Sequence, residues 1–123
     1  MDESQFAENI AKIRARFAAK LVDKIRQTNA ALPRLAGGGS DAADAVATAY
    51  RLFHDVCGIG ATIGFEETGR LARVLDIILV GAFRDHRGLS GDEAAQLKEG
   101  FKSLRIAAQT EMQSTDSNRE LTQ

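Results

Sequence analysis

YRLFHDVCGIGATIG, residues Tyr50 to Gly64, sets a single histidine, His54, inside an apolar spacing of helical period, with Gly58 four residues further on. At about 100° per residue, Leu52, Phe53, Val56, Ile59 and Ile63 fall in one band on the side opposite His54. The stretch is therefore expected to be helical, with His54 facing outward. Ala47, Tyr50, Arg51, Gly58 and Ala61 share the histidine's side. A side chain at position 58 would lean back over the imidazole, and a mid-helix glycine costs about 1 kcal/mol relative to alanine. Gly58 is read as clearing space for another molecule to reach a ring nitrogen of His54.

Upstream, Ser40 and Asp41 suit a helix N-terminus, Ser40 as the cap and Asp41 as the acidic first turn. Ala45, Ala49, Leu52, Phe53, Val56 and Ile59 form the expected buried face of this helix, which Gly60 and Gly64 bracket at its end. Before it, Phe6, Ile10, Ile13, Phe17, Leu21 and Ile25 recur at spacings of three and four and predict a long amphipathic helix. Asp2 and Gln5 have the spacing of a capping box, and Pro33 with Gly37-Gly38-Gly39 marks the turn that follows.

Downstream, Phe65 to Phe83 reads as a third helix with Leu71, Val74, Leu75, Ile78, Leu79 and Ala82 inward. Gly88 is the expected C′ residue, and His86 lies where a cation suits the negative helix end. Ser90 and Glu93 predict a second capping box, opening a fourth helix on Leu97, Phe101, Leu104, Ala108 and Met112. Four helical segments with short connections predict an all-α fold, an antiparallel up-down-up-down four-helix bundle over residues 1–113. Residues 114–123 are polar and are expected to form a mobile tail.

The chain of 123 residues has the length of one domain. Its 16 basic and 17 acidic residues offer no general attraction to nucleic acid or an anionic membrane surface. The lone Cys57 cannot form an internal disulfide. The start of the chain lacks a signal-peptide pattern, and no window has the apolar length of a membrane span, so a cytoplasmic location is expected. A P-loop reading of the glycines fails because no Gly-Lys-Ser/Thr follows them.

His54 admits four readings. A core histidine conflicts with its helical phase. A metal ligand needs partners, and His54-x-x-Cys57 supplies two, with His86 in a distant loop. A thiol dyad with Cys57 is within reach across one helical turn, but no orienting residue or oxyanion donor accompanies it. The fourth reading is a phosphoryl acceptor. Imidazole is substantially neutral, and so nucleophilic, near physiological pH, and an acceptor needs exposure rather than burial. The donating machinery, with its metal, would then sit on a partner protein.

HDVCGIGATIG, with His54, Gly58 and Gly64 at offsets of zero, four and ten, followed by a helix bearing Leu71 and Leu75, resembles the histidine-containing phosphotransfer domain of two-component phosphorelays. The resemblance spans Phe6 to Met112. It implies that His54 is the phosphorylated residue, on the second helix of a four-helix bundle, and that Gly58 keeps it open. Cys57 stands where the family generally has a lysine. Arg51, one turn before His54, is the cation expected to substitute for that lysine, with Tyr50, Cys57 and Ala61 completing the phosphoryl environment. The implied partners are a response-regulator receiver domain and an upstream sensor histidine kinase. The chain itself is expected to be a monomer with no cofactor and no kinase or ATPase activity, Mg2+ being held by the receiver. The alternative is a non-phosphorylated bundle that binds a receiver or kinase and blocks it.

Overall fold

The computed structural model describes residues 2–121, and side chains over residues 2–113. Four helices follow one another: α1 (Glu3–Ala31), α2 (Ser40–Ile59), α3 (Glu66–Arg84) and α4 (Gly91–Leu121). Short 3-10 turns, Leu32–Arg34 and Gly60–Ile63, close α1 and α2. The helices form the expected antiparallel bundle, with α3 packed between α2 and α4. Among the described residues the sole β-type contact is an isolated bridge between Ala36 and Leu89.

The expected stripes supply most of the core. Leu21, Ala49, Phe53, Val56, Leu75, Leu79, Ala82, Leu97, Phe101, Leu104 and Ala108 are all buried. Each of the fully buried phenylalanines Phe53, Phe65 and Phe101 contributes roughly 1.5–3 kcal/mol by leaving water. Phe65 also meets Phe17 of α1, with ring centroids 5.1 Å apart.

Four residues expected inward lie outside. Phe6 and Ile13 of α1, Ile59 of α2 and Val74 of α3 are exposed. At about 1.5 Å per residue, α1 is about 43 Å long against about 30 Å for α2. Its first turns, residues 2–9, extend beyond what a helix of the length of α2 can cover and are exposed throughout. Ile59 and Val74 sit at the edges of their stripes. The missing burial is made up by Val46, Thr68 and Ala72, which are completely enclosed. Small residues on α3 fall inside because that helix is covered from two sides.

The caps fix where each helix begins and ends. The Gln5 amide donates to Asp2 Oδ1 at 2.9 Å. Ser90 and Glu93 form a complete capping box, the Glu93 amide donating to Ser90 Oγ at 3.1 Å and the Ser90 amide to Glu93 Oε1 at 2.9 Å. Ser40 is the first helical residue of α2 rather than its cap, which is Gly39. The start of α3 has no local side-chain cap. Glu111 of α4 supplies one across the bundle, accepting from the amides of Glu67 and Thr68 at 3.1 and 2.7 Å and from Thr68 Oγ1 at 2.6 Å. That carboxylate locks the longitudinal register of α3 against α4.

The end of α3 differs from the expectation. His86, not Gly88, takes the left-handed conformation at C′, with φ 50°. The Arg87 amide bonds Ala82 O at 3.1 Å and the His86 amide bonds Phe83 O at 3.3 Å, the two bonds of a Schellman motif. Gly88 is needed for space: a Cβ there would lie 2.2 Å from the Gly37 carbonyl oxygen. The close approach lets the Leu89 amide donate to Leu35 O at 2.8 Å, which ties together the two loops at this end of the bundle. Helix α4 continues through Leu121, so residues 114–121, expected as a mobile tail, are helical in backbone; their side chains and residues 122–123 lie outside the described residues.

Candidate functional site

Because the apolar side of α2 packs on α3 and the core, the opposite side is left to solvent, and His54 projects there with its side chain 61% exposed. Tyr50, one turn earlier, stacks on the imidazole with centroids 5.7 Å apart and an interplanar angle of 21°. Tyr50 is in turn stacked on Phe83 of α3 at 4.3 Å. The aromatic column anchors the histidine ring to α3.

A second restraint comes from Asp76, which α3 presents beside α2. Its Oδ2 lies 3.4 Å from His54 Nδ1. A carboxylate can only accept, so a hydrogen bond across this contact takes Nδ1–H as its donor, and in the neutral ring Nε2 then has the lone pair. Asp76 is mostly enclosed, its side chain 15% exposed, and its other oxygen, Oδ1, is buried with no hydrogen-bond partner among the described residues. Cys57 donates from Sγ to the His54 carbonyl at 3.2 Å. Burial pushes the Cys57 thiol above its usual pKa, the nearby Asp76 charge adds to the rise, and Arg73 opposes it. The thiol is therefore a neutral group in the site.

Gly58 is exposed, and a Cβ placed on it would meet nothing within 4 Å. The cleared space beside His54 is present, and only a side chain longer than a methyl group would fill it. Ala61 is not in phase with His54, because α2 stops at Ile59 and Ala61 lies in the following 3-10 turn. Arg51 is exposed but lines a groove toward α1 with Lys24, Thr28 and Asp55. The cation that acts on the Cys57 side is Arg73 of α3. The structure thus brings together Tyr50, His54, Cys57 and Gly58 from α2 with Asp76 and Arg73 from α3.

Asp76 and Arg73 were not legible as site residues from spacing around His54, since they lie on another helix. One signal existed for Asp76: it falls four residues after Ala72 and three before Leu79, both fully buried, so a charged group sits in an apolar helical stripe. No protein-family model, curated protein or solved structure matches this chain. Among the described residues no helix is long and apolar enough to cross a membrane.

Proposed function

We propose that the chain is a phosphorelay intermediate that accepts a phosphoryl group on His54 and exchanges it with the aspartate of a receiver domain. The observation that carries this reading is the exposed imidazole whose Nδ1 faces the Asp76 carboxylate, beside a surface position stripped to glycine. In the forward step the Nε2 lone pair of His54 attacks the phosphorus of an aspartyl phosphate. The N–P bond forms, the acyl O–P bond breaks, and the receiver's aspartate leaves as a carboxylate. Positive charge grows on the imidazole as the lone pair is shared, and the fixed negative charge of Asp76 stabilises it. The proton stays on Nδ1 throughout. Mg2+ on the receiver would neutralise the equatorial oxygens, so this chain needs to supply only a nucleophile and access.

Incubation with a phosphorylated receiver, followed by mass spectrometric mapping under alkaline conditions, tests the reading. It predicts label on His54 and none in His54→Gln. A stable complex without label would instead support the blocking module.

A further inference from the structure

From the geometry we propose that His54, Cys57 and Asp76 form a three-ligand site for a borderline-soft divalent cation of the zinc type. A ring nitrogen of His54, Cys57 Sγ and a carboxylate oxygen of Asp76 lie within 4.8 Å of one another. Nitrogen, thiolate sulfur and carboxylate oxygen are the donors such a cation takes. Metal–ligand bonds of about 2.0–2.1 Å to nitrogen and about 2.0–2.2 Å to oxygen, set at a tetrahedral angle, separate the two donors by about 3.4 Å. His54 Nδ1 and Asp76 Oδ2 already stand 3.4 Å apart, which matches one edge of the tetrahedron. The sulfur of the half-buried Cys57 stands within 4.8 Å of both other donors.

The surroundings favour occupancy. His54 and Cys57 share one turn of α2, while the Glu111 cap fixes the register of the α3 that carries Asp76. Tyr50 holds the imidazole plane by stacking. Asp76 Oδ1 is buried without a partner, so the carboxylate has acceptor capacity that the protein leaves unused. Binding exchanges the Cys57 thiol proton, released to solvent, for a sulfur–metal bond, and the imidazole proton moves by way of solvent from Nδ1 to Nε2 so that Nδ1 has the lone pair that ligates. The solvent side of His54 leaves the fourth position for water or an anionic ligand, the pattern of an exchangeable rather than a closed structural site. A hard cation such as Mg2+ is disfavoured by the thiolate and imidazole. The inference is independent of phosphotransfer, since it concerns the chain alone.

The test is titration of the full chain with Co2+ and Zn2+ in the absence of chelator. One Co2+ per chain is expected, with a thiolate-to-cobalt charge-transfer band and the intense visible bands of a tetrahedral site, both erased by Zn2+ and unaffected by Mg2+. Loss of an outer-shell partner typically weakens metal binding about 10–100-fold, so removing a ligand should cost at least about tenfold. Cys57→Ser should abolish the charge-transfer band, and Cys57→Ser and Asp76→Asn should each weaken Zn2+ binding by that factor. His86→Gln should leave it unchanged. An octahedral cobalt spectrum with no thiolate band, or Zn2+ affinity untouched by Cys57→Ser, would overturn the proposal.

Discussion

His54 Nδ1 and Asp76 Oδ2 face each other at 3.4 Å across the α2–α3 interface, joining two residues that are 22 positions apart in sequence. The relationship gives an exposed histidine a carboxylate partner at one ring nitrogen, and it ties the setting of the imidazole to the packing of two helices.

Asp76→Asn should separate that electrostatic role from folding. It removes the negative charge while keeping the shape of the side chain. For a ring 61% exposed the screened contribution should be about 1 kcal/mol, roughly fivefold in transfer rate. Since a buried carboxylate oxygen without a partner is itself costly, thermal stability should hold or rise slightly. Single-turnover transfer with chelator present, alongside thermal unfolding, checks both.

Gly58 separates access from stability. Gly58→Ala should raise stability by up to about 1 kcal/mol and leave transfer nearly intact, because the added Cβ meets nothing. Gly58→Gln should keep the stability and lose most of the transfer, its longer chain lying over the imidazole. Equal transfer rates for the two variants would contradict the shielding role.

The cation near the phosphoryl site is expected to be Arg73. Arg73→Ala should slow transfer by up to about fivefold, the limit set by about 1 kcal/mol for an exposed charge. Arg51→Ala should stay within about twofold of the parent, because Arg51 lines the groove toward α1. Transfer rates from one phosphorylated receiver compare the two.

Glu93 gives the bundle a defined acid sensitivity. The Arg87 guanidinium, which bonds its carboxylate at 2.6 Å, and the Ser90 amide lower its pKa to about 2, against about 4.3 for an unperturbed glutamate. With the folded pKa below the unfolded one, its stabilisation is complete above about pH 4.3 and is lost as the pH falls toward 2. The stability difference between parent and Glu93→Gln should therefore be largest near neutrality and should close over that interval in pH-dependent urea denaturation.

Helical periodicity carried the fold well where one face packs on one neighbour. In α4, Leu97, Phe101, Leu104 and Ala108 are buried as their spacing predicts. It failed at Phe6 and Ile13, since a stripe does not reveal how much of a long helix its neighbours cover, and at Thr68 and Ala72, since it does not reveal that α3 is covered twice. His86 illustrates another limit. Its left-handed backbone at C′ follows from the chain path between α3 and α4, where glycine would be the ordinary choice. Within the site, His54 and Gly58 were legible because one helix sets their relation. Asp76 and Arg73 were not, because the Glu111 cap and the aromatic column, both tertiary, decide which turn of α3 meets His54.

Whether His54 is a phosphoryl acceptor is decided by chemical mapping of the modified residue. A receiver domain carrying an aspartyl phosphate is mixed with the parent chain, His54→Gln and His86→Gln, and each product is digested and sequenced by mass spectrometry at alkaline pH. An acid-labile phosphoryl group is expected on His54 in the parent and in His86→Gln, and none in His54→Gln. Label on any other residue, or label that persists in His54→Gln, would contradict phosphoryl acceptance at His54.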